Sequence, residues 1–547
     1  VFEDVSGQQL PAGTHVHVFE LGFSEPVVGV DAQGIAVSAG AFLVSTATVD
    51  RQTWMIEVAG LRLGTSFQLR LGDSIRDLAG QPLAETLLEF AVASGTVVYL
   101  REGGVGDGSS PASPSGNLVG AMVNAVEGTE LWLAQGRFET FVELTRGVSM
   151  LCGFNATFTL RDPEVFQTVV SQDMLYASVT LMGAEGGIVR ALDGCVLRNT
   201  WSGGPSLQPN VGIEVVGAGP LLTRNRVLTA GAYDSVGIRV RGGSPIVLAN
   251  TVESAGVALG VRHVGIQLQA PGQARVVGNR VEGGDGAGSA IALECVEQDA
   301  LLEGNALFGG GDVGTGLDNA SMGLKIAGGA PRVFNNLIHG GGRRAATVGL
   351  QAEQTRALIV HNTIFAGLGI SNASAVRLGS GANPALANNI LFCSSASGRG
   401  LVEEGASADP ASFQNNLLLA CPAGLYLDEG SSRLDQPADI DALEGTPIED
   451  GLCPGTNPCE HARYSANLIT AMSPFQLFVD PAGPDGDPAT SLDGDWRLGT
   501  AEVSILQGGK NTYGQDCGSL ENPVSCGQVG MNLDGQMRVA PSPPGAY

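Results

Sequence analysis

Asparagine returns along this chain at an even interval, and that interval limits the possible folds more than any other feature. The residues are Asn199, Asn225, Asn250, Asn279, Asn305, Asn335, Asn362, Asn388 and Asn415, in steps of 25 to 30. A sequence period in the range of about 20–50 residues marks a solenoid of stacked units. The segments between are short Val/Ile/Leu runs punctuated by Gly, Pro and Asn, without a stretch at helical period long enough for a helix pair. Each unit is therefore read as three short strands and three turns, and stacked units of that kind make a parallel β-helix. Asn suits a bend between strands because it tolerates left-handed backbone angles, and stacked amides bond to one another along the axis. The Asn row is read as structural, not as a site.

A second periodic element follows each Asn after a loop of variable length. It runs from Gly212-Ile213-Glu214-Val215 through Ala290-Ile291-Ala292-Leu293 to Gly424-Leu425-Tyr426-Leu427. Alternation in a strand turns the second and fourth positions inward and the third outward. The outward row then reads Glu214, Arg239, Gln267, Ala292, Lys325, Gln351, Arg377, Val402 and Tyr426. Arg239, Lys325 and Arg377 would form a line of cations about 10–14 Å apart at the spacing of stacked strands. An extended anionic glycan is the expected ligand of that line, with Gln267, Gln351 and Tyr426 adding hydrogen bonds or ring stacking. The loops around 309–322 and Arg343–Arg344 are expected to wall one side.

Charge narrows the choice of partner. There are 29 Lys and Arg against 55 Asp and Glu, a formal net charge of −26. Such a field opposes phosphate backbones and anionic lipid, so nucleic-acid binding and whole-surface membrane binding are excluded. No run approaches the roughly 18 apolar residues of a transmembrane segment. The start at Val1 instead of a methionine fits the expectation that a signal peptide or lipoprotein leader has been removed. Among the nine cysteines, the close pairs Cys453/Cys459 and Cys517/Cys526 lie in segments poor in core-forming residues and are expected to be disulfides. That pattern suggests an oxidising compartment. Cys393 and Cys421 sit near equivalent places on adjacent coils and are a third candidate pair. Cys152, Cys195 and Cys295 fall in aliphatic runs and read as buried free thiols.

With these residues in view, the central region resembles the right-handed parallel β-helix, or pectate-lyase-like, superfamily. The segment from Tyr99 to Phe154, with a helical stretch at Leu118–Val126 and a strand at Leu131–Leu133, looks like the opening of secreted bacterial β-helix proteins. The ending, from Gly494-Asp495-Trp496 to Tyr547, is similar to their closing segment. Residues 1–96 alternate strand-like runs, at His15–Leu21, Ile35–Val37, Thr53–Val58 and Ser66–Leu71, with Gly- and Asp-bearing turns. With Phe23-Ser24-Glu25-Pro26-Val27 and Ile75-Arg76-Asp77-Leu78-Ala79-Gly80 they resemble the Ig-like β-sandwich of bacterial surface-layer proteins, in which such a domain is a spacer or display module. The expected fold is thus all-β: an Ig-like sandwich at 1–96, a right-handed parallel β-helix with a helical cap at 97–440, and a disulfide-closed, loop-rich extension at 441–547.

The resemblance specifies fold and leaves function open. The Asn-Thr-Asp, Asp-Asp, Gly-His-Gly and Arg-Ile-Lys motifs of polygalacturonase-like hydrolases do not occur here, nor does the Asp-Pro-His-Asp of alginate epimerases. Arg161-Asp162-Pro163-Glu164-Val165 lacks the second Arg of the pectate-lyase pattern Arg-x-Pro-x-Arg. Glycoside hydrolysis needs two carboxylates about 5–9.5 Å apart, and Glu253 and Glu282, each three residues after its Asn, meet that condition as neighbours on adjacent coils. A solvated strand surface is the preferred reading of this pair. His263, His339 and His361 share no repeat position and read as isolated surface or loop histidines. Asp485, Asp487, Asp493 and Asp495 place four carboxylates within eleven residues and are the candidate ligands of a calcium ion. No residue is assigned a catalytic role. The expected function is a secreted or cell-surface bacterial structural, adhesive or glycan-binding protein, with acidic polysaccharide or other cell-surface components as partners. The alternative is a polysaccharide lyase or glycoside hydrolase acting on an acidic polysaccharide. The two differ in whether carboxylates and cations converge on one sheet.

Overall fold

The structure is a computed structural model. It describes residues 9–10, 16–31, 33–38, 42–48, 52–59, 66–92, 95–145, 147–173, 176–182, 191–201, 208–217, 219–231, 234–254, 262–284, 288–311 and 320–443, and the strands 464–465, 468–470, 478–480 and 495–498. Near the start of the chain, strands Val16–Gly22, Phe42–Thr48 and Thr53–Ala59 form one antiparallel sheet. Strands Ile35–Val37, Ser66–Leu71, Thr86–Val92 and Gln9–Leu10 form another. Strict alternation in Ser66–Leu71 sends Phe67, Leu69 and Leu71 inward, where both sheets share one core around the fully buried Trp54. Phe19, Phe67 and Phe90 meet there, with ring centroids 4.9–5.7 Å apart.

Among the described residues, those from Val97 to Thr470 form a parallel β-helix of three sheets. Sheet one has 13 strands, from Val97–Leu100 to Tyr464–Ser465. Sheet two has 12, from Gly136–Glu139 to Leu468–Thr470. Sheet three has 12: eleven parallel strands from Val142–Leu144 to Tyr426–Asp428, and the closing antiparallel strand Ser432–Leu434. Pairing on sheets one and two thus runs on past residue 440. A short helix, Leu118–Asn124, stands before the first full coil, and the Asn117 side chain accepts the Gly120 N–H at 2.8 Å as its N-cap. Inside the solenoid inward columns from all three sheets fill a common core, one from sheet one with Leu222, one from sheet two with Val252, and two from sheet three with Ile238 and Val240.

The corner between sheets one and two has two residues, and each has a separate task. The first holds a left-handed φ of 52–62° in eight successive coils: Arg224, Ala249, Gly278, Gly304, Asn335, His361, Asn388 and Asn415. The second carries the amide ladder. Asn225, Asn250, Asn279, Asn305, Asn336, Asn362 and Asn389 each donate backbone N–H and Nδ2 to Oδ1 of the Asn one coil on, at 2.8–3.1 Å, ending at Asn416. Nδ2 also reaches carbonyls of neighbouring strands, as from Asn279 to Val247 O at 2.8 Å. The expected row therefore needs correction at four places. Asn335, Asn388 and Asn415 are first members of Asn-Asn doublets and occupy the left-handed position, while the following Asn is the rung. Asn199 lies inside the strand Val196–Thr200 and donates to Val211 O at 3.0 Å. The rung in that coil is Cys195, whose N–H donates to Asn225 Oδ1 at 3.0 Å.

The recurrent Gly on sheet three has a steric cause. A Cβ at Gly237 or Gly265 would stand 2.2 Å from Cγ1 of Val252 or Val281 and 2.6 Å from a backbone oxygen of the next coil. Only the smallest residues fit where sheet two presses this closely on sheet three.

Cys152 and Cys195 are joined in a disulfide across adjacent coils, which corrects their reading as free thiols. Their aliphatic setting masked the pairing, because both sulfurs lie in the solenoid core. Cys393 and Cys421 are also bonded. Cys295 is a buried free thiol, and burial pushes its pKa up to about 12. Cys453, Cys459, Cys517 and Cys526 lie outside the described residues.

The two corner positions respond oppositely to substitution. Asn389→Ala removes four buried hydrogen bonds with Asn362, Ile359 and Asn416 and should cost about 3 kcal/mol. Asn388→Gly should stay within about 1 kcal/mol of wild type, because Gly accepts the φ of 56° without strain. Urea titrations of the two variants measure the contrast. Non-reducing peptide mapping should recover Cys152–Cys195 and Cys393–Cys421 as bonded peptides. Replacing the Cys152–Cys195 pair by Ala, 43 residues apart, should lower stability by about 3–4 kcal/mol.

Candidate functional site

The outward face of sheet three is where the solenoid gathers the most ionisable groups. Its register reads Glu143, Thr180, Glu214, Arg239, Gln267, Glu294, Lys325, Gln351, Arg377, Val402 and Leu427. Two places differ from the expected row. Glu294 stands where Ala292 was expected, because small-aliphatic-x-aliphatic fits this strand at two offsets and the pairing of Ile266 with Leu293 selects the second. Leu427 stands where Tyr426 was expected. Tyr426 pairs with Leu401 and turns into the core, fully buried, with its ring edge on Phe413 at 5.7 Å.

The cations of the row are opposed by carboxylates. Glu214 accepts Arg239 Nε at 2.9 Å and forms 2.8 Å ion pairs with Nη2 of both Arg239 and Arg241. Glu294 accepts Gln267 Nε2 at 2.7 Å, pairs with Arg262, and has Lys325 Nζ at 3.7 Å. Arg262 also stands 3.8 Å from Asp234. Arg377 lies 3.9 Å from Glu404 and donates to Ser374 Oγ at 3.5 Å. Gln351 donates to Glu353. These side chains point away from the core, yet Gln267 and Glu294 are buried and Arg239, Lys325, Gln351 and Arg377 are half-buried. Burial raises the pKa of Asp234, with Arg262 and Arg239 opposing and Glu294 adding to the rise. Burial likewise lowers that of Arg377.

The remaining candidates are dispersed. Glu253 and Glu282 are register partners on adjacent coils of sheet two, each held by its own guanidinium, Arg226 at 3.0 Å and Arg280 at 3.5 Å. The three histidines are separate from one another, but they are buried and not on the surface. His263 has its pKa depressed to about 4 by burial, with Arg344 adding to the effect. His339 stacks at 4.6 Å on Phe308 and meets Phe365 edge-on at 4.2 Å. His361 forms a left-handed corner. Among the described residues no three His, Cys, Asp or Glu side chains are grouped to hold a metal. Asp485, Asp487 and Asp493 lie outside the described residues, and Asp495 opens a strand paired with Phe478–Asp480.

Two charged centres have no sequence signal. Arg344, expected in a loop beside the groove, is fully buried. It donates to Gly288 O at 2.6 Å and to Gly284 O and Gly311 O at 3.3 Å, which ties together the loops of three coils. Asp193 is fully buried between Arg161 at 3.0 Å and Arg224 at 2.7 Å. Burial works against its charge, but the two guanidiniums prevail and its pKa falls. Residues so far apart in sequence meet only once the coils stack.

No protein-family model matches this chain, and no curated protein matches it. Among solved structures it is similar to pectate lyase Pel9A, at 15% identity and a TM-score of 0.38, covering 68% of this chain and 90% of that one. It is also similar to the catalytic unit of a GH87 alpha-1,3-glucanase from Streptomyces thermodiastaticus, at 11% identity and a TM-score of 0.28, covering 78% and 96%. Dex49A from Penicillium minioluteum matches at 9% identity and a TM-score of 0.22, covering 73% and 74%.

At the far end of sheet three, Glu403 accepts the Tyr426 hydroxyl and the Glu429 N–H at 3.1 Å. Burial pushes its pKa from 4.5 up to about 7; the two hydrogen bonds oppose the rise, while Asp409 and Asp428 add to it. A carboxyl with a raised folded-state pKa stabilises most below its unfolded value and loses that contribution as pH rises through the folded one. Glu403→Gln should therefore flatten the fall in thermal midpoint between about pH 4.5 and 7 relative to wild type. Parallel melting curves across that range measure the difference.

Proposed function

We propose that this chain is an extracellular or surface-displayed bacterial β-helix protein that binds an extended acidic polysaccharide along sheet three. The observation that carries the reading is the run of sheltered polar side chains from Glu214 to Arg377, one per coil, on a face turned away from the core. Coils repeat at about 4.8 Å, the length scale of successive sugar units, so each coil offers a donor or acceptor to each sugar. Glycan carboxylates would compete with Glu214, Glu294 and Glu404 for Arg239, Lys325 and Arg377. The Cys152–Cys195 and Cys393–Cys421 bonds support an oxidising compartment, and no helix among the described residues is long and apolar enough to cross a membrane. The sheets near the start of the chain are read as an Ig-like spacer or display module.

A lyase or hydrolase is the second reading. It is favoured by the convergence of carboxylates and cations on sheet three, the feature expected of an enzyme, and by Asp234 and Glu294, which share Arg262, one of them with a raised pKa, as an acid–base pair requires.

Isothermal titration with polygalacturonate at low salt tests both. Wild type should bind, and replacing Arg239, Lys325 and Arg377 together by Ala should weaken binding at least tenfold and flatten its salt dependence. Equal binding by the triple variant would remove the sheet-three reading. Chain cleavage in the same mixture, lost in Asp234→Asn, would establish the enzyme instead.

A further inference from the structure

A second face of the solenoid holds a recess that sheet three does not explain. Outward residues at the start of sheet two lie in two rows, Arg137–Val169–Val196 and Glu139–Ser171–Arg198. Ser171 is small and stands between two long side chains, so the surface sinks there. The recess measures about 540 Å³ and is lined by Glu139, Phe141, Gln172, Asp173, Arg198 and Thr200, among others, within the size range of small-molecule sites.

Its chemistry is uneven in an informative way. The other cations on this face each have a carboxylate: Arg137, which lines the same recess, with Glu139 at 3.0 Å, Arg226 with Glu253 at 3.0 Å and Arg280 with Glu282 at 3.5 Å. Arg198 is exposed, and its guanidinium makes no ion pair among the described residues. On a chain with 55 acidic and 29 basic residues, a guanidinium left open beside a hollow is available to an anion. Phe141 borders the same hollow with half its surface (50%) exposed, an apolar platform of the kind a sugar ring covers with its C–H face. Glu139 and Asp173 accept hydrogen bonds and so suit the several hydroxyl groups of a sugar ring, and as carboxylates they repel a multiply charged anion such as phosphate.

We propose that this recess is a carbohydrate site for one acidic sugar residue, a hexuronate. Its carboxylate meets Arg198 in a forked pair, its ring covers Phe141, and its hydroxyls meet Gln172, Thr200 and Asp173. The site is independent of the sheet-three reading.

Titration of the full chain with D-glucuronate, D-glucose and inorganic phosphate tests it. Wild type should bind glucuronate at least tenfold more tightly than the other two. Arg198→Ala should reduce that affinity at least tenfold, and Phe141→Ala severalfold. Arg198→Lys should fall between wild type and Ala, because an ammonium keeps the charge without the fork. Both residues are exposed, so melting curves should be unchanged. The Arg239/Lys325/Arg377 triple variant should bind glucuronate as wild type does. Absence of glucuronate binding, phosphate or glucose binding as tightly, or unaltered binding by Arg198→Ala and Phe141→Ala would each overturn the proposal. Loss in the triple variant alone would assign the sugar to sheet three and leave only that reading standing.

Discussion

The amide ladder at the corner between sheets one and two is the interaction on which the solenoid depends. A two-residue corner reverses the chain so tightly that its polar backbone groups are turned inward, and buried donors and acceptors left unpaired are costly. The Asn side chain answers both needs at once: its oxygen accepts two donors from the coil before, and its nitrogen donates to backbone carbonyls and to the next rung. Because each rung has the same geometry, the ladder fixes the register of all three sheets. The outward row on sheet three from Glu214 to Arg377 then follows as a consequence of that register.

The ladder also explains which parts of the molecule were legible in sequence. The period was visible because one residue type recurs in every coil, and with it came the class of fold. The position of the rung within the corner was not visible in the doublets Asn335-Asn336, Asn388-Asn389 and Asn415-Asn416, where either Asn satisfies either need locally and only pairing across coils separates them. The same limit applied on sheet three. Ala290-Ile291-Ala292-Leu293 fits the local pattern, yet its neighbours place Glu294 on the row and so convert a line of cations into ion pairs. Contacts between residues far apart in sequence, such as Arg161 with Asp193 or Cys152 with Cys195, leave no periodic trace at all.

Charge is managed locally. Despite the net charge of −26, Glu214, Glu253, Glu282 and Glu294 on the faces of the solenoid are each matched by a guanidinium on the same or an adjacent coil, and the buried Asp193 takes two. Exposed pairs of this sort add little stability. Their effect is on selection: a polymer approaching sheet three meets partners already engaged, so it must offer both a carboxylate and hydroxyls to replace what it displaces.

Arg344 sets a boundary on how the protein can change length. A ladder of identical rungs tolerates the gain or loss of a coil, since the new neighbours present the same amides. Arg344 is different, because one guanidinium holds the carbonyls of Gly284, Gly288 and Gly311 on the two preceding coils. Removing a single coil between residues 284 and 344 would shift those carbonyls by a full strand spacing relative to the guanidinium and break its alignment with them. Deletion of a single repeat is thus closed within this segment, as it is across the Cys152–Cys195 and Cys393–Cys421 bonds, which makes three coils, not one, the unit by which the middle of the molecule can be rebuilt.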